Sequence, residues 1–517
     1  MTRAAQAAAI LLIAASSYAG GTVTAKRAAV STDHPLATKA GLAVLQRGGS
    51  AADAAVTVAL TLEVVRPQSG GLGGGGFATY YDAETRGVWT LDFRETAPRQ
   101  ANKDTRTSAS AAGVPGTLAG LQALHERFGK RAWKELVEPA ALLAREGPRD
   151  DWELAGAIAN AKKSRQLDLP AKLPAPELAA TLQRIAEHGA RDLYHGELAK
   201  KLVEGARASG GVIGFRDLAD YAPVWRAPLK LVYGDLEIYS VPPPSGGGMV
   251  IGETLTILAG DDLRASGFQT PKTLHLLLEA QRRAFIDRFR YVADPATARI
   301  PYRELLSRRR GEQWRGTIGD RVVATASLAE PRELVAEGEH TTHFTIVDEK
   351  GNVLALTTSL GDDFGSGFLV PSLGFFLNSA NADFSTTRPN EIAEGKRPVS
   401  SLAPTIVLRD GRPFLAIGSA GGSAIPTTIV QVFLNVVVHG KSLPDAVEAP
   451  RYHHAGTPDE MAVERVRAPQ STIDALNAKG HSVSLRDSIG AVHAILFDHG
   501  RLIAVADPRG GGAAGGF

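Results

Sequence analysis

The chain has 517 residues, 44 % of them hydrophobic, 22 % charged and 6 % aromatic, a globular composition long enough for about three domains or one large intertwined one. Its 57 Lys and Arg against 55 Asp and Glu leave a formal charge of +2, which gives no basic footprint for nucleic acid or an anionic lipid surface. The absence of cysteine excludes disulfides, thiolate nucleophiles, iron–sulfur clusters and Cys-type zinc sites.

In chain order, the opening MTRAAQAAAILLIAASSYAG joins a positive charge at Arg3 to an apolar Ala/Leu/Ile stretch, with Ser17-Tyr18-Ala19 before Gly20. That is the pattern of a secretory signal cleaved after Ala19, so residues 1–19 are expected to leave an exported protein, periplasmic or secreted. From about Ala28 to Glu330 the sequence reads mostly as helices broken by Gly/Pro loops. Thr273–Ala293 places Leu274, Leu277, Leu278, Ala284, Phe285 and Phe289 near one helical face, and Asp294-Pro295 stops it. Thr341–Glu349 and Val353–Leu360 read as strands around a turn at Lys350-Gly351-Asn352. A second hairpin joins Thr405–Leu408 to Phe414–Gly418, Ser423–Val438 reads as a buried helix, and a last hairpin joins Val492–Phe497 to Leu502–Ala506. Helices first and hairpins later suggest layers of sheet and helix sharing one core. The closing RGGGAAGGF, residues 509–517, is expected to be a flexible tail, too rich in glycine to pack.

Two glycine clusters stand out. Gly70-Gly71-Leu72-Gly73-Gly74-Gly75-Gly76-Phe77 lacks a following Gly-Lys-Ser/Thr and leads into a strand, not a helix, so neither phosphate-loop context is present. Close backbone packing beneath an active site, where a Cβ would not fit, accounts for it better. Gly418-Ser419-Ala420-Gly421-Gly422-Ser423 ends a strand and opens the buried helix. Unpaired amides there suit an oxyanion, although a plain strand–helix turn would have the same sequence.

No Gly-x-Ser-x-Gly elbow and no His-Glu-x-x-His occurs, and neither His453-His454 nor His340/His343 has carboxylates at ligand spacing; no metal is expected. Thr341-Thr342-His343-Phe344 opens a hydrophobic strand directly after the polar stretch Ala336–His340, which reads as mobile. A threonine hydroxyl is a poor nucleophile until a base takes its proton. Cleavage just before it turns its own α-amine, with a pKa near 7.7–8.0, into that base. An ordinary Thr-rich strand start is the alternative reading of these residues.

From His34-Pro35-Leu36 to Arg451-Tyr452-His453-His454 the chain resembles the γ-glutamyltranspeptidases, N-terminal-nucleophile hydrolases. The likeness rests on ordered blocks: Gly48–Ala55, Gly70–Phe77, Arg94-Glu95-Thr96-Ala97-Pro98, Gly113-Val114-Pro115-Gly116-Thr117, Asp217–Tyr221 and Pro242–Gly247. Thr341–Phe344, Gly395–Ser401 and Gly418–Ser423 complete the series. The resemblance implies an α+β fold, a four-layer αββα sandwich, formed by two subunits of one self-cleaved precursor. It places the cut between His340 and Thr341, giving a large subunit of residues 20–340 and a small one of 341–517. Thr341 would be the nucleophile, with the amides of Gly421 and Gly422 as oxyanion hole. Arg94 would pair with the substrate α-carboxylate, Ser400 and Ser401 would help hold it, and Asp383 would hold the α-ammonium. No metal or cofactor is implied. The partners implied are a glutathione-like γ-glutamyl amide and the other subunit.

Three positions depart from the family pattern. Ser359 stands where a second Thr usually supports the nucleophile, Gly361 where an Asn is usual, and Ala380 where a Gln or Glu would meet the α-amine. Missing contacts to a charged group cost about 1–3 kcal/mol each. Only 17 positions separate Asp383 from Ser400, too few for the lid loop of many members. An open site favours water over amine acceptors and admits long substrates. The expected activity is hydrolysis or transfer of γ-glutamyl groups. Alternatives are a lidless glutaryl- or cephalosporin-acylase-like or poly-γ-glutamate-acting member, and an unprocessed inactive binding homologue.

Overall fold

The computed structural model describes residues 21–147, 152–170, 173–174, 176–329, 338 and 340–517. The expected signal segment 1–19 lies outside the described residues, as do Ala336, Glu337 and Glu339 of the polar stretch. The strands, in chain order, begin with β1 (Thr22–Ala25), β2 (Ala29–Thr32), β3 (Gly75–Asp82), β4 (Gly87–Asp92), β5 (Val224–Arg226), β6 (Leu229–Tyr233) and β7 (Leu236–Ser240). They continue with β8 (His340–Val347), β9 (Val353–Gly361), β10 (Thr405–Arg409), β11 (Arg412–Ala420), β12 (Tyr452–His453) and β13 (Met461–Glu464). The last are β14 (Val483–Arg486), β15 (Ala491–Asp498), β16 (Arg501–Ala506) and β17 (Ala513–Gly516).

Two seven-stranded sheets form the middle layers. One runs β1-β16-β15-β11-β10-β7-β6 and the other β17-β2-β8-β9-β3-β4-β5. Between them lies a shared apolar layer containing Tyr81, Val347, Val353, Ile406, Ala416 and Ile495. Helices Ala51–Val65, Thr117–Phe128, Trp133–Glu146 and Pro176–His188 cover the second sheet through one core, and Gly247–Ile257, Pro271–Tyr291 and Ala424–Val437 cover the first through another. Helix, sheet, sheet, helix is the expected αββα sandwich. Each face of each sheet needs an apolar cover, and the helices supply the outer two.

Strand β9 is buried along its length, and β8 everywhere except His340, as central strands covered on both faces must be. The helix Ala51–Val65 is buried at every residue. Its start is fixed by a reciprocal cap in which the Asp53 amide donates to Ser50 Oγ at 3.1 Å and the Ser50 amide to the Asp53 carboxylate at 2.8 Å.

Two expectations need correction. Residues 509–517 are not a loose tail: β17 pairs antiparallel with β2, Ala513 and Ala514 are buried, and Thr38 Oγ1 donates to the Ala513 carbonyl at 2.8 Å. The Phe517 carbonyl also accepts from the amides of Lys26, Arg27 and Ala28. Small side chains let this edge strand lie flat on its neighbours, so the glycine richness that suggested disorder serves close packing. The half before Glu330 is also less purely helical than expected, since it contributes β1 to β7. Several of these strands are three to five residues long, too short to display an alternation in sequence.

Candidate active site

The head of β8 is where the expected nucleophile lies. Thr341 is buried and registers with Ser359 on β9. Its hydroxyl donates to Ser359 Oγ at 3.2 Å. Ser359 Oγ accepts as well from the Gly361 amide at 2.9 Å and donates to the His340 carbonyl at 2.9 Å. One hydroxyl therefore links the expected nucleophile to the carbonyl oxygen of the bond preceding it. The register slips between His340 and Thr341: His340 faces Gly361, Thr341 faces Ser359, and Leu360 is passed over. Such a bulge re-aims the peptide at one point in an otherwise regular ladder.

The expected oxyanion loop lies at the same end of the sandwich. Side chains alternate along a strand, so Thr341 shares a face with His343. A Cβ on Gly418 of β11 would fall 2.2 Å from the His343 ring, which shows how closely the two sheets meet there. Ala416 packs in the inter-sheet layer with Val347 and Val353 at the far end of β8 and β9. Moving from Ala416 to Ala420 therefore runs back along β8 from Val347 towards Thr341. Just beyond Ala420, Gly421 and Gly422 turn the chain into helix Ala424–Val437 with φ of 119° and 54°. Both values favour glycine. Neither amide N–H donates to a turn or loop hydrogen bond among the described residues. His343 lies 2.8 Å from Thr357 Oγ1 and 3.1 Å from Thr345 Oγ1. Burial, then the neighbouring His493, hold its pKa well below that of a free imidazole, so it packs as a neutral ring.

The expected substrate clamp sits past the end of β4, three strands from β8. Gly75 on β3 registers with Ser359, and a Cβ there would lie 2.7 Å from Glu95 Oε2. The Arg94 guanidinium, buried just past the end of β4, meets Glu95 at 2.8 Å, contacts the Asp383 carboxylate and reaches the Val399 carbonyl at 3.4 Å. Burial alone would lower its pKa, but Glu95 and Asp383 outweigh that and raise it. Burial raises Asp383 to about 6 despite Arg94, and raises Glu95 as well. Asp383 is also in the field of a second buried guanidinium, Arg288, whose own pKa burial lowers to about 10. The Ser400 hydroxyl accepts from the Leu402 amide at 3.1 Å, while the buried Ser401 hydroxyl has no partner among the described residues. Arg94, Asp383 and the Val399 carbonyl are thus in contact, Thr341 is paired with Ser359, and Gly421 and Gly422 follow the end of β11.

The Gly70–Gly76 loop supports both groups. Added Cβ atoms would fall 1.9 Å from the Phe376 carbonyl oxygen at Gly73, 2.3 Å from that of Ser359 at Gly74 and 2.2 Å from that of Thr357 at Gly76. Beneath it the buried Glu63 carboxyl accepts from the Leu72 amide, and burial raises its pKa to about 8 in spite of that bond. The segment from Asp383 to Ser400 folds on itself: Lys396 Nζ donates to the Pro389 and Glu391 carbonyls at 2.7 and 2.8 Å. Asn390 Nδ2 donates to the Asp383 carbonyl at 2.8 Å.

Two carboxylates at the site were given no role from sequence. Glu95 follows Arg94 directly within one of the family-like blocks, which assign it no role of its own. Asp363 lies 2.8 Å from the His340 ring, a contact across the bulge that no local pattern announces. The departures also acquire a physical setting. A Cβ on Gly361, at φ of 90°, would meet Ser379 Oγ at 2.3 Å, so that hydroxyl occupies the space a side chain would need. Ala380 is buried, and its amide donates to Asn378 Oδ1 at 2.9 Å.

An αββα sandwich in which a threonine heads a central strand belongs to the class of N-terminal-nucleophile hydrolases. Within that class the chain is a member of the γ-glutamyltranspeptidase family, whose profile, described as Gamma-glutamyltranspeptidase, matches residues 37–517. A glutathione hydrolase proenzyme of Escherichia coli (strain K12) is 34 % identical over 531 residues, covering 94 % of this chain and 91 % of its own. An acylase ACY 1 proenzyme of Pseudomonas sp. (strain V22) is also 34 % identical, over 92 % of this chain and 90 % of its own. The crystal structure of a cephalosporin acylase from Bacillus halodurans superposes with a TM-score of 0.87 at 25 % identity, covering 98 % of both chains. Among the described residues no helix is long and apolar enough to cross a membrane.

Proposed function

We propose that this protein is an exported, self-processing γ-glutamyl hydrolase and transferase that uses Thr341 as its nucleophile. In the precursor, Thr341 Oγ1 adds to the His340 carbonyl carbon. The C–N bond to Thr341 breaks, the hydroxyl proton passes to the departing nitrogen, and an ester joins the two residues. Water hydrolyses the ester, leaving a carboxylate on His340 and a free amine and hydroxyl on Thr341. In turnover the amine takes the hydroxyl proton as Oγ1 attacks the γ-carbonyl of a substrate such as glutathione. The amides of Gly421 and Gly422 receive the oxyanion. As it collapses, the amide C–N bond breaks and the leaving amine takes the proton from the Thr341 ammonium. A γ-glutamyl ester remains on Oγ1 until water or an amino acid attacks it and releases the acyl group. Arg94, with Ser400 and Ser401, takes the substrate α-carboxylate, and Asp383 the α-ammonium.

The observation that carries this reading is the single hydroxyl of Ser359, within hydrogen-bond reach of both Thr341 Oγ1 and the His340 carbonyl. It is supported by the kinship with glutathione hydrolase proenzymes. N-terminal sequencing of the purified protein tests it: a new terminus beginning Thr-Thr-His-Phe is expected, and Thr341→Ala abolishes both the terminus and turnover. A single inert chain after long incubation would instead mark a binding homologue.

A second reading, a preference for glutaryl over γ-glutamyl groups, is favoured by the buried methyl of Ala380 and by Ser379 filling the space beside Gly361. The acylase relative points the same way. Steady-state rates on γ-glutamyl-p-nitroanilide and glutaryl-p-nitroanilide separate the two, and a clear win for the glutaryl compound would replace the first reading.

A further inference from the structure

We propose that Asp363 is a positioning residue for self-cleavage, acting through the side chain of His340. The proposal rests on the reading that the chain is cut between His340 and Thr341. His340 is approached from two sides. Its carbonyl receives the Ser359 hydroxyl at 2.9 Å, and its ring nitrogen Nδ1 lies at ion-pair distance, 2.8 Å, from Asp363 Oδ1, a buried oxygen that has no hydrogen-bond partner among the described residues. Asp363 is itself anchored: its backbone carbonyl takes the Arg165 guanidinium, which also donates to the Gly365 carbonyl at 3.0 Å and lies 3.9 Å from Asp362. Its side chain is 12 % exposed, so the carboxylate cannot easily turn away from the ring.

The bulge gives this anchor its purpose. The ladder skips Leu360 at the one linkage to be cut, so the His340 carbonyl is aimed at Ser359 rather than into a regular pair. A regular register would be the relaxed state of two paired strands. Holding the ring on Asp363 keeps His340 opposite Gly361 and the carbonyl carbon beside the Thr341 hydroxyl. Upstream, Gly338 is pressed against the same turn, where a Cβ would fall 2.1 Å from the Gly361 carbonyl oxygen. Gly361, the last residue of the strand that carries Ser359, and Asp363, two residues beyond it, thus form a seat for Gly338 and His340.

The test follows loss of intact-chain mass in freshly purified full-length protein and its Asp363→Asn, His340→Ala, His340→Gln and double Asp363→Asn/His340→Ala variants. Misplacing a reacting carbonyl is costly, so Asp363→Asn and His340→Ala are each expected to slow cleavage about tenfold or more. Because they break the same contact, the double variant is expected within about threefold of the slower single one. His340→Gln keeps a donor for Asp363 and should cleave faster than His340→Ala. The His340 side chain is 44 % exposed, so its variants fold and decide the matter even if the Asp363 variant does not. Wild-type rates in the His340→Ala and Asp363→Asn proteins overturn the proposal, as do effects that multiply in the double variant. A wild-type chain that never yields a terminus at Thr341 overturns the proposed function instead.

Discussion

Replacing Ser359 by Ala separates the two reactions assigned to Thr341. The serine hydroxyl makes three contacts: it accepts from Thr341 Oγ1 at 3.2 Å and from the Gly361 amide at 2.9 Å, and it donates to the His340 carbonyl at 2.9 Å. The last exists only while the chain is uncut. A donor on an oxygen that gains negative charge in the transition state is worth about 100- to 1000-fold in rate. A neutral hydrogen bond that only orients a nucleophile is worth about 1 kcal/mol, or roughly fivefold. Ser359→Ala should therefore slow self-cleavage about 100-fold or more, while the processed enzyme loses only about five- to tenfold in kcat. Ser359→Thr, which restores the methyl but keeps the hydroxyl, should do neither. Intact mass against time gives the first rate, and γ-glutamyl-p-nitroanilide hydrolysis by the fully cut fraction gives the second. Equal losses in both reactions, or processing within about threefold of wild type, would refute the role of the His340 contact.

Glu63 predicts a pH effect. Burial raises its pKa to about 8, above the unfolded carboxylate value, so the stability it confers is complete below about pH 4.5 and lost as pH rises through 8. Glu63→Gln keeps an acceptor for the Leu72 amide without titrating, and its melting temperature should fall less than that of wild type between pH 7 and 9; parallel curves would contradict this. Gly421→Ala puts a Cβ 2.9 Å from the Gly490 Cα at a φ of 119°, and kcat should fall about 100-fold by displacement of an oxyanion donor. A variant with near-normal kcat would remove that amide from its role. Deleting residues 513–517 strips β17 from β2, removing several ladder hydrogen bonds at about 1 kcal/mol each. A clear drop in melting temperature is expected, and an unchanged melt would mean the strand adds nothing.

Much of the chain after His340 was legible because its elements are long and apolar. The strands at 341–349 and 353–360 and the helix at 423–438 appear nearly as read, since each is a run that only burial accommodates. The helix at Pro271–Tyr291 was legible for the same reason, with Thr270 capping it through the Thr273 amide. The last strand was misread because composition reports what a segment lacks, whereas its place depends on the Thr38 hydroxyl far away in sequence. Convergence at the site is still less local. Arg94 and Asp383 are 289 positions apart, and no periodicity joins them. Family likeness implies a substrate role for both, but it does not imply one for Asp363, whose contact with His340 accompanies a one-residue slip in register.

The order of strands has a mechanical consequence for a chain divided after His340. In the second sheet the strands before the cut (β2, β3, β4, β5) interleave with those after it (β17, β8, β9), and in the first sheet β1 and the β6–β7 pair flank β10, β11, β15 and β16. Prising the fragments apart would break three ladders in one sheet and two in the other, and would lay open the apolar interior of each. The three largest hydrophobic cores each draw side chains from both fragments. Dilution should therefore never separate the halves short of denaturation, and halves synthesised separately should find each other only by folding together.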